Sequence, residues 1–184
     1  MQRYTYLSLA AGVAMAFPVT AFAEERVCRG AIGAVTLDNV RVPQNARCSL
    51  DGTRVKGNIV VQRDATLIAE DVVVAGNVQA ENHRSVTVED GSRIGGSVQI
   101  KQGRAATVAD ARVTGDIQYE SNRGDLRIVR NRVGGNVQAF QNVGDLQIQR
   151  NAIDGNLQCK ENRPAPVGGR NTVGGEKEDQ CRRL

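Results

Sequence analysis

The 184-residue chain has no tryptophan, one histidine, two methionines, three phenylalanines and three tyrosines. Most of these sit at its start: Met1, Tyr4, Tyr6, Met15, Phe17 and Phe22 all precede residue 24. Beyond that point Tyr119 and Phe140 are the only aromatic side chains. A layered domain of this length fills its centre with large side chains, so the composition speaks against that architecture. The abundant Val, Ile, Leu and Ala suit a narrow tube in which each layer buries a few small residues.

Other absences narrow the chemistry. His83, beside Arg84, has no nucleophile to pair with and reads as a surface residue at a corner. The four cysteines include no closely spaced pair of the kind zinc sites use. With so few aromatics, a sugar-stacking cleft lacks its usual walls. No catalytic residues, metal ligands or cofactor sites are therefore assigned. Strong charge is missing too. The net charge is +4, and Arg3 is the only charged residue among the first 23, which leaves +3 for the remainder. That is too mild for a dedicated nucleic-acid binder.

Long hydrophobic runs are confined to the start. Leu7–Val19 is apolar but broken by Pro18, and it falls short of the roughly 20 residues that span a bilayer. Arg3 precedes it and Ala21-Phe22-Ala23 follows it as a small-x-small site. Residues 1–23 are therefore predicted to be a secretory signal peptide cleaved before Glu24. The remainder is expected to be exported, periplasmic or extracellular, and not membrane-embedded.

What the chain does contain is a repeat. Gly57, Gly76, Gly96, Gly115, Gly135, Gly155 and Gly175 follow one another at 19 or 20 residues, and most open a phrase such as Gly135-Asn136-Val137-Gln138. A period this short marks a solenoid. Apolar residues alternate within each unit, the strand signature: Val137 and Ala139, then Leu146 and Ile148, then Ile153. The fold class predicted is all-β, a single right-handed parallel β-helix with three short strands per 19–20-residue coil. A left-handed hexapeptide helix does not fit, because its coils come in multiples of six.

Asn82, Asn122, Asn142 and Asn162, with Gln102 in the missing place, are assigned one corner register; Asn131, Asn151 and Asn171 are assigned another. Asn tolerates left-handed backbone angles, and stacked amides bond along an axis, so both rows read as structural. The repeating glycine reads as a device for a tight bend. About seven rungs are expected, in a rod on the order of 35 Å long. The organisation expected is a signal peptide over 1–23, an N-terminal cap and first coil over 24–56, regular repeats over 57–163 and a C-terminal cap over 164–184.

Four cysteines allow three pairings. Cys28 and Cys48 lie 20 residues apart, Cys159 and Cys181 lie 22 apart, and residues one coil apart sit within disulfide reach. The pairing local to each end is therefore expected. It would clasp both open edges of the solenoid and belongs in an oxidising compartment.

The phrases Gly155-Asn156-Leu157-Gln158-Cys159-Lys160-Glu161-Asn162-Arg163-Pro164-Ala165-Pro166 and Gly174-Gly175-Glu176-Lys177-Glu178-Asp179-Gln180-Cys181 resemble the C-terminal signature of an uncharacterised family of exported bacterial β-solenoid repeat proteins. The resemblance implies a bacterial source and no catalytic residues. In architecture alone the chain is also similar to bactofilins, β-helical bacterial scaffold proteins that polymerise end to end. Those are cytoplasmic and lack cysteine clasps, which this chain has.

Two surface rows are the candidate binding residues. Gln79, Gln99, Gln118, Gln138 and Gln158 form an amide face, readable as a sheet-stabilising ladder or as a docking face for a repetitive partner. Arg130, Arg150 and Arg170 recur every 20 residues, readable as a solvated corner or as contacts to an anionic polymer, with Arg123 and Arg163 able to widen the row. Asp125 and Asp145 stack in one register and superficially suit a carboxylate pair or calcium, but Ser85 and Ala105 interrupt their row, and solvated turn residues are the simpler reading. The function expected is a non-enzymatic structural or surface-binding module of the cell envelope. The alternatives are a receptor for an anionic envelope polysaccharide through the Arg row, and a carbohydrate-active enzyme. Envelope or extracellular polysaccharide, or another surface protein, is the partner class; the oligomeric state stays open.

Overall fold

The computed structural model describes residues 24–184; the expected signal peptide over 1–23 lies outside the described residues. All regular structure among them is β. Three parallel sheets wrap one axis: nine strands from Glu25–Val27 to Lys177–Asp179, eight from Gly30–Ile32 to Val167–Gly169, and eight from Thr36–Leu37 to Thr172–Val173. The chain is a β-solenoid of about 8 turns with about 20 residues per turn. Parallel neighbours normally need a long crossover; here each coil is its own return path. Nine strands at roughly 4.8 Å give a rod about 38 Å long, one turn more than the sequence suggested.

The interior follows from the alternation. In the first sheet Val78, Val98, Ile117, Val137 and Leu157 stack in one inward column, and in the second Leu126 lies on Leu146 and Ile128 on Ile148. The third contributes Val55, Val74, Ile94, Val113, Val133 and Ile153. Strands two to five residues long suffice, because each rung buries only a few side chains before the chain turns. Tyr119 is the large exception. It is buried, with its hydroxyl donating to the Arg127 carbonyl at 3.2 Å.

Strands run past residues 57–163 at both ends. Glu25 pairs Asn39 and Leu157 pairs Lys177, so the register continues through the segments expected to be caps. Disulfides join Cys28 to Cys48 and Cys159 to Cys181, with Cα separations of 5.5 and 5.2 Å. The C-terminal turn folds onto the last rung: Cys181 N–H donates to the Glu178 carbonyl and Leu184 N–H to that of Cys181, each at 3.0 Å.

Candidate functional site

The three corners decide which polar side chains are free to act. At the first corner, between the first and second sheets, Asn122, Asn142 and Asn162 are buried. The Asn122 amide donates to Asn142 Oδ1 at 3.0 Å, and that of Asn142 donates to Asn162 Oδ1 at 2.9 Å. The same amides donate to carbonyls of the coil before, Ile100 and Tyr119, each at 2.9 Å. Gln180 closes the column by accepting from Asn162 and donating back to its carbonyl. The second corner repeats the device with Asn131, Asn151 and Asn171.

The left-handed residue is not the ladder asparagine but the one before it: Ser121, Gln141 and Glu161 at the first corner, Arg130, Arg150 and Arg170 at the second. Asn82 and Gln102 have φ near 54° and belong to that exposed row. Their expected place in the amide column is wrong by one residue; His83 and Gly103 occupy it. The cause is the 19-residue interval between Gly96 and Gly115, which shifts every later residue by one position.

His83 is correspondingly buried, not at the surface, and neither ring nitrogen has a hydrogen-bond partner. Burial pushes its pKa down to about 4. A Cβ on Gly103 would collide with the imidazole, so this glycine makes room for the one ring in the column. His83 is therefore enclosed in the column as a neutral ring near pH 7.

The third corner explains the repeating glycines, and the explanation differs from the expected one. Asn39, Asn58, Asn77, Ser97, Asp116, Asn136 and Asn156 each accept a backbone N–H from the following coil, for example Asn156 N–H to Asn136 Oδ1 at 2.8 Å. A Cβ at Gly155 would lie 2.5 Å from Asn136 Oδ1 and 2.7 Å from the Gly135 carbonyl oxygen. The repeat glycines do not have positive φ. They are small because a ladder oxygen occupies the place of their side chain.

The Gln row is a fourth, more exposed ladder in two runs. Gln79 donates to Gln99 at 3.0 Å and Gln99 to Gln118 at 3.4 Å; Gln138 donates to Gln158 at 2.8 Å and Gln158 to Glu178 at 2.9 Å. Glu178, which can only accept, ends the second run. These amides are largely committed to one another.

The candidate Arg residues divide between two corners. Arg130, Arg150 and Arg170 line the second. Arg130 is held by Asp110 one coil away, Nε to Oδ1 at 2.7 Å and Nη2 to Oδ2 at 2.5 Å, and this contact lowers the pKa of Asp110. Arg123 and Arg163 do not widen that row. They lie across the second sheet at the first corner, where Arg123 and Arg163 each bridge to Val143. There they continue a row that the sequence reading missed. Arg84, Arg104, Arg123 and Arg163 each follow a column residue, are exposed, and form no ion pair among the described residues. The 20-residue spacing hid this row because its members are 20, 19 and 40 residues apart.

Asp125 and Asp145 lie in register on the second sheet, where they line an open depression of about 490 Å³ with Arg127, Gln147 and Val167. Both are exposed. A larger open depression, about 690 Å³, lies where the first sheet meets the first corner, between Val60, Arg63, Gln79, Glu81 and Lys101. Glu70, Glu89 and Asp90 bring carboxylate oxygens within 4.8 Å of one another near the second corner. Partial burial, then the charges of Asp90 and Glu70, push the Glu89 pKa up. Comparison with family models, curated proteins and solved structures finds no match to this chain.

Proposed function

We propose that this chain is an exported, non-enzymatic β-solenoid module that serves as a structural or surface-binding component of a bacterial cell envelope, in the periplasm or outside the cell. The observation that carries this reading is the fate of the recurring polar residues. The Asn, Ser and Asp side chains of the corner columns, and the Gln row in its two runs, are bonded to a neighbouring coil, leaving them with little capacity for chemistry on a substrate. Two disulfides, one at each end, support a rigid rod suited to an oxidising compartment. No helix among the described residues is long and apolar enough to cross a membrane.

A second reading has its own observation. The exposed row of Arg84, Arg104, Arg123 and Arg163 favours an anionic polysaccharide lying along the first corner. It replaces Arg130, Arg150 and Arg170 as the better receptor surface, because Asp110 already neutralises Arg130. Planar guanidiniums stepped at roughly 4.8 Å per coil suit a polymer of carboxylates or sulfates.

Retention of the oxidised protein on acidic and neutral envelope polysaccharides, at low and moderate salt, tests both readings. Salt-sensitive retention on acidic polymers, lost when Arg84 and Arg104 are replaced by Ala and kept in Arg150→Ala, is the result the second reading requires. Salt-insensitive retention moves the contact to the Gln face. No retention removes the polymer receptor and leaves a structural role or a protein partner. Cleavage of any polymer during incubation would overturn the non-enzymatic reading.

A further inference from the structure

At the second corner each coil from Gly52 to Arg170 turns through the left-handed region, with Gly52 (φ 62°) in the first and Gly91 (φ 80°) beside Asp90; from the second coil on, each turn holds one exposed charged residue there. In order these are Asp71 (φ 46°), Asp90 (55°), Asp110 (49°), Arg130 (56°), Arg150 (55°) and Arg170 (57°). The row changes sign once, at its midpoint, and is antisymmetric about the gap between Asp110 and Arg130. Left-handed backbone is easy for Asp and disfavoured for Arg, so the turn itself does not call for three arginines. At the equivalent place on the first corner stand Asn45, Asp64, Asn82, Gln102, Ser121, Gln141 and Glu161, with no Arg.

The central members show what these charges do when they meet: Arg130 grips Asp110 through two hydrogen bonds. Away from the centre, like charges accumulate. Glu70 and Glu89 sit at strand ends beside Asp71 and Asp90, and three of these four carboxylates crowd within 4.8 Å. Arg150 and Arg170 have no ion-pair partner among the described residues. One edge of the rod thus has an unmatched acidic half and an unmatched basic half.

We propose that this edge is a self-complementary contact on which two copies of the chain pair side by side and antiparallel. The two-fold axis passes opposite the gap between Asp110 and Arg130. Arg150 of each copy then faces Asp90 of the other, Arg170 faces Asp71, and the two Arg130–Asp110 pairs meet at the axis. Such an interface is isologous and closes at two copies. Both rods step at the same pitch, so every pair comes into register together over about 24 Å.

The flanking residues on the second-sheet side agree. Glu70 and Glu89 of one copy meet the positions of Gly169 and Gln149 in the other, which are uncharged. On the third-sheet side Arg93 meets Ala152, while Arg112 of one copy meets Arg132 of the other, a like-charge contact beside the axis that both copies of Asp110 lie close to. A parallel pair would set Asp against Asp and Arg against Arg, so the charge pattern selects the antiparallel one.

Sedimentation equilibrium of the oxidised protein in EDTA tests this at about 0.02 M and about 0.5 M salt, where the screening length falls from roughly 20 Å to a few Å. The expected mass approaches twice the monomer at low salt and returns to the monomer at high salt. Arg150→Asp alone and Asp90→Arg alone each place like charges across the axis and weaken the dimer at least about tenfold. The combined variant exchanges the two signs across the axis and restores it, which a parallel or unspecific association would not do. Circular dichroism checks that each variant keeps its fold. A protein that stays monomeric at low salt, a combined variant that fails to recover, or a dimer that forms only with a divalent cation would overturn the proposal.

Discussion

Replacing Asn142 with Ala should be among the most damaging single changes in the chain, and its magnitude follows from the bonds it breaks. The side chain is fully buried. Its amide donates to Asn162 Oδ1 and to the Tyr119 carbonyl, both at 2.9 Å; its Oδ1 accepts from the backbone and side-chain nitrogens of Asn122, both at 3.0 Å. Truncation leaves the Asn122 backbone N–H buried without a partner, which costs roughly 1–3 kcal/mol, and removes three further bonds worth about 1 kcal/mol each, or about 4–6 kcal/mol in all. A domain of this size is stable by roughly 5–15 kcal/mol. At about 2–4 °C per kcal/mol the melting temperature should fall by roughly 8–24 °C. Gln141→Asn is the control: the neighbouring side chain is exposed, makes one bond to Glu161 at 2.9 Å, and its left-handed backbone suits Asn. Its effect should stay within about 0.5 kcal/mol. Urea titration and thermal melting of the oxidised proteins give both numbers. A loss below about 1 kcal/mol for Asn142→Ala, or one no larger than the control, would refute the reasoning that the buried amide column holds the coils in register.

Three further outcomes follow from the corners and clasps. Burial holds His83 near a pKa of about 4 in the folded chain against an ordinary 6.5, so the unfolded chain takes up the proton first. Stability is therefore complete above about pH 6.5 and declines as pH falls through about 4, by up to about 3 kcal/mol; His83→Leu should flatten that part of a stability–pH curve. Gly135→Ala should destabilise by about 1–3 kcal/mol, because its Cβ would strike Asp116 Oδ1 and the Gly115 backbone. Gly33→Ala, with nothing within 4 Å, should be neutral or slightly stabilising in the same denaturation assay. Replacing either cysteine pair with Ser should cost about 3 kcal/mol, given closed loops of 20 and 22 residues, and reducing agent should lower the melting temperature of the parent protein but not of a variant lacking both pairs.

The three-stranded coil was legible because inward columns tolerate only small apolar residues, so Val137, Leu146 and Ile153 recur in step with Gly135 and Gly155. The cysteine pairing was legible for the same reason, since one coil of chain brings residues together. Register was harder to read. A single 19-residue coil moves the amide column from Asn122 back to Gly103 and His83, and a buried histidine next to a glycine carries no local sign of burial. The glycines were recognised as a repeat but misread in cause, because a Cβ clash with the Asn136 oxygen involves a residue one coil away. The Arg row at the first corner escaped because Val143 interrupts it and its intervals are unequal, whereas Arg130, Arg150 and Arg170 repeat evenly. Which charges are free also cannot be read from spacing alone: the Asp110 that neutralises Arg130 lies a full coil away.

The repeating amides are spent inside the scaffold, bonded from coil to coil. Side-chain amide hydrogen exchange, resolved by NMR on the oxidised protein, tests this directly. The NH₂ groups of Asn122, Asn142 and Asn151 should exchange at least about a thousandfold more slowly than that of Gln79, which corresponds to opening free energies of about 4 kcal/mol or more. Exchange of the Asn amides at the rate of Gln79 would mean that the columns are open to water, and the structural reading of the repeat would fall.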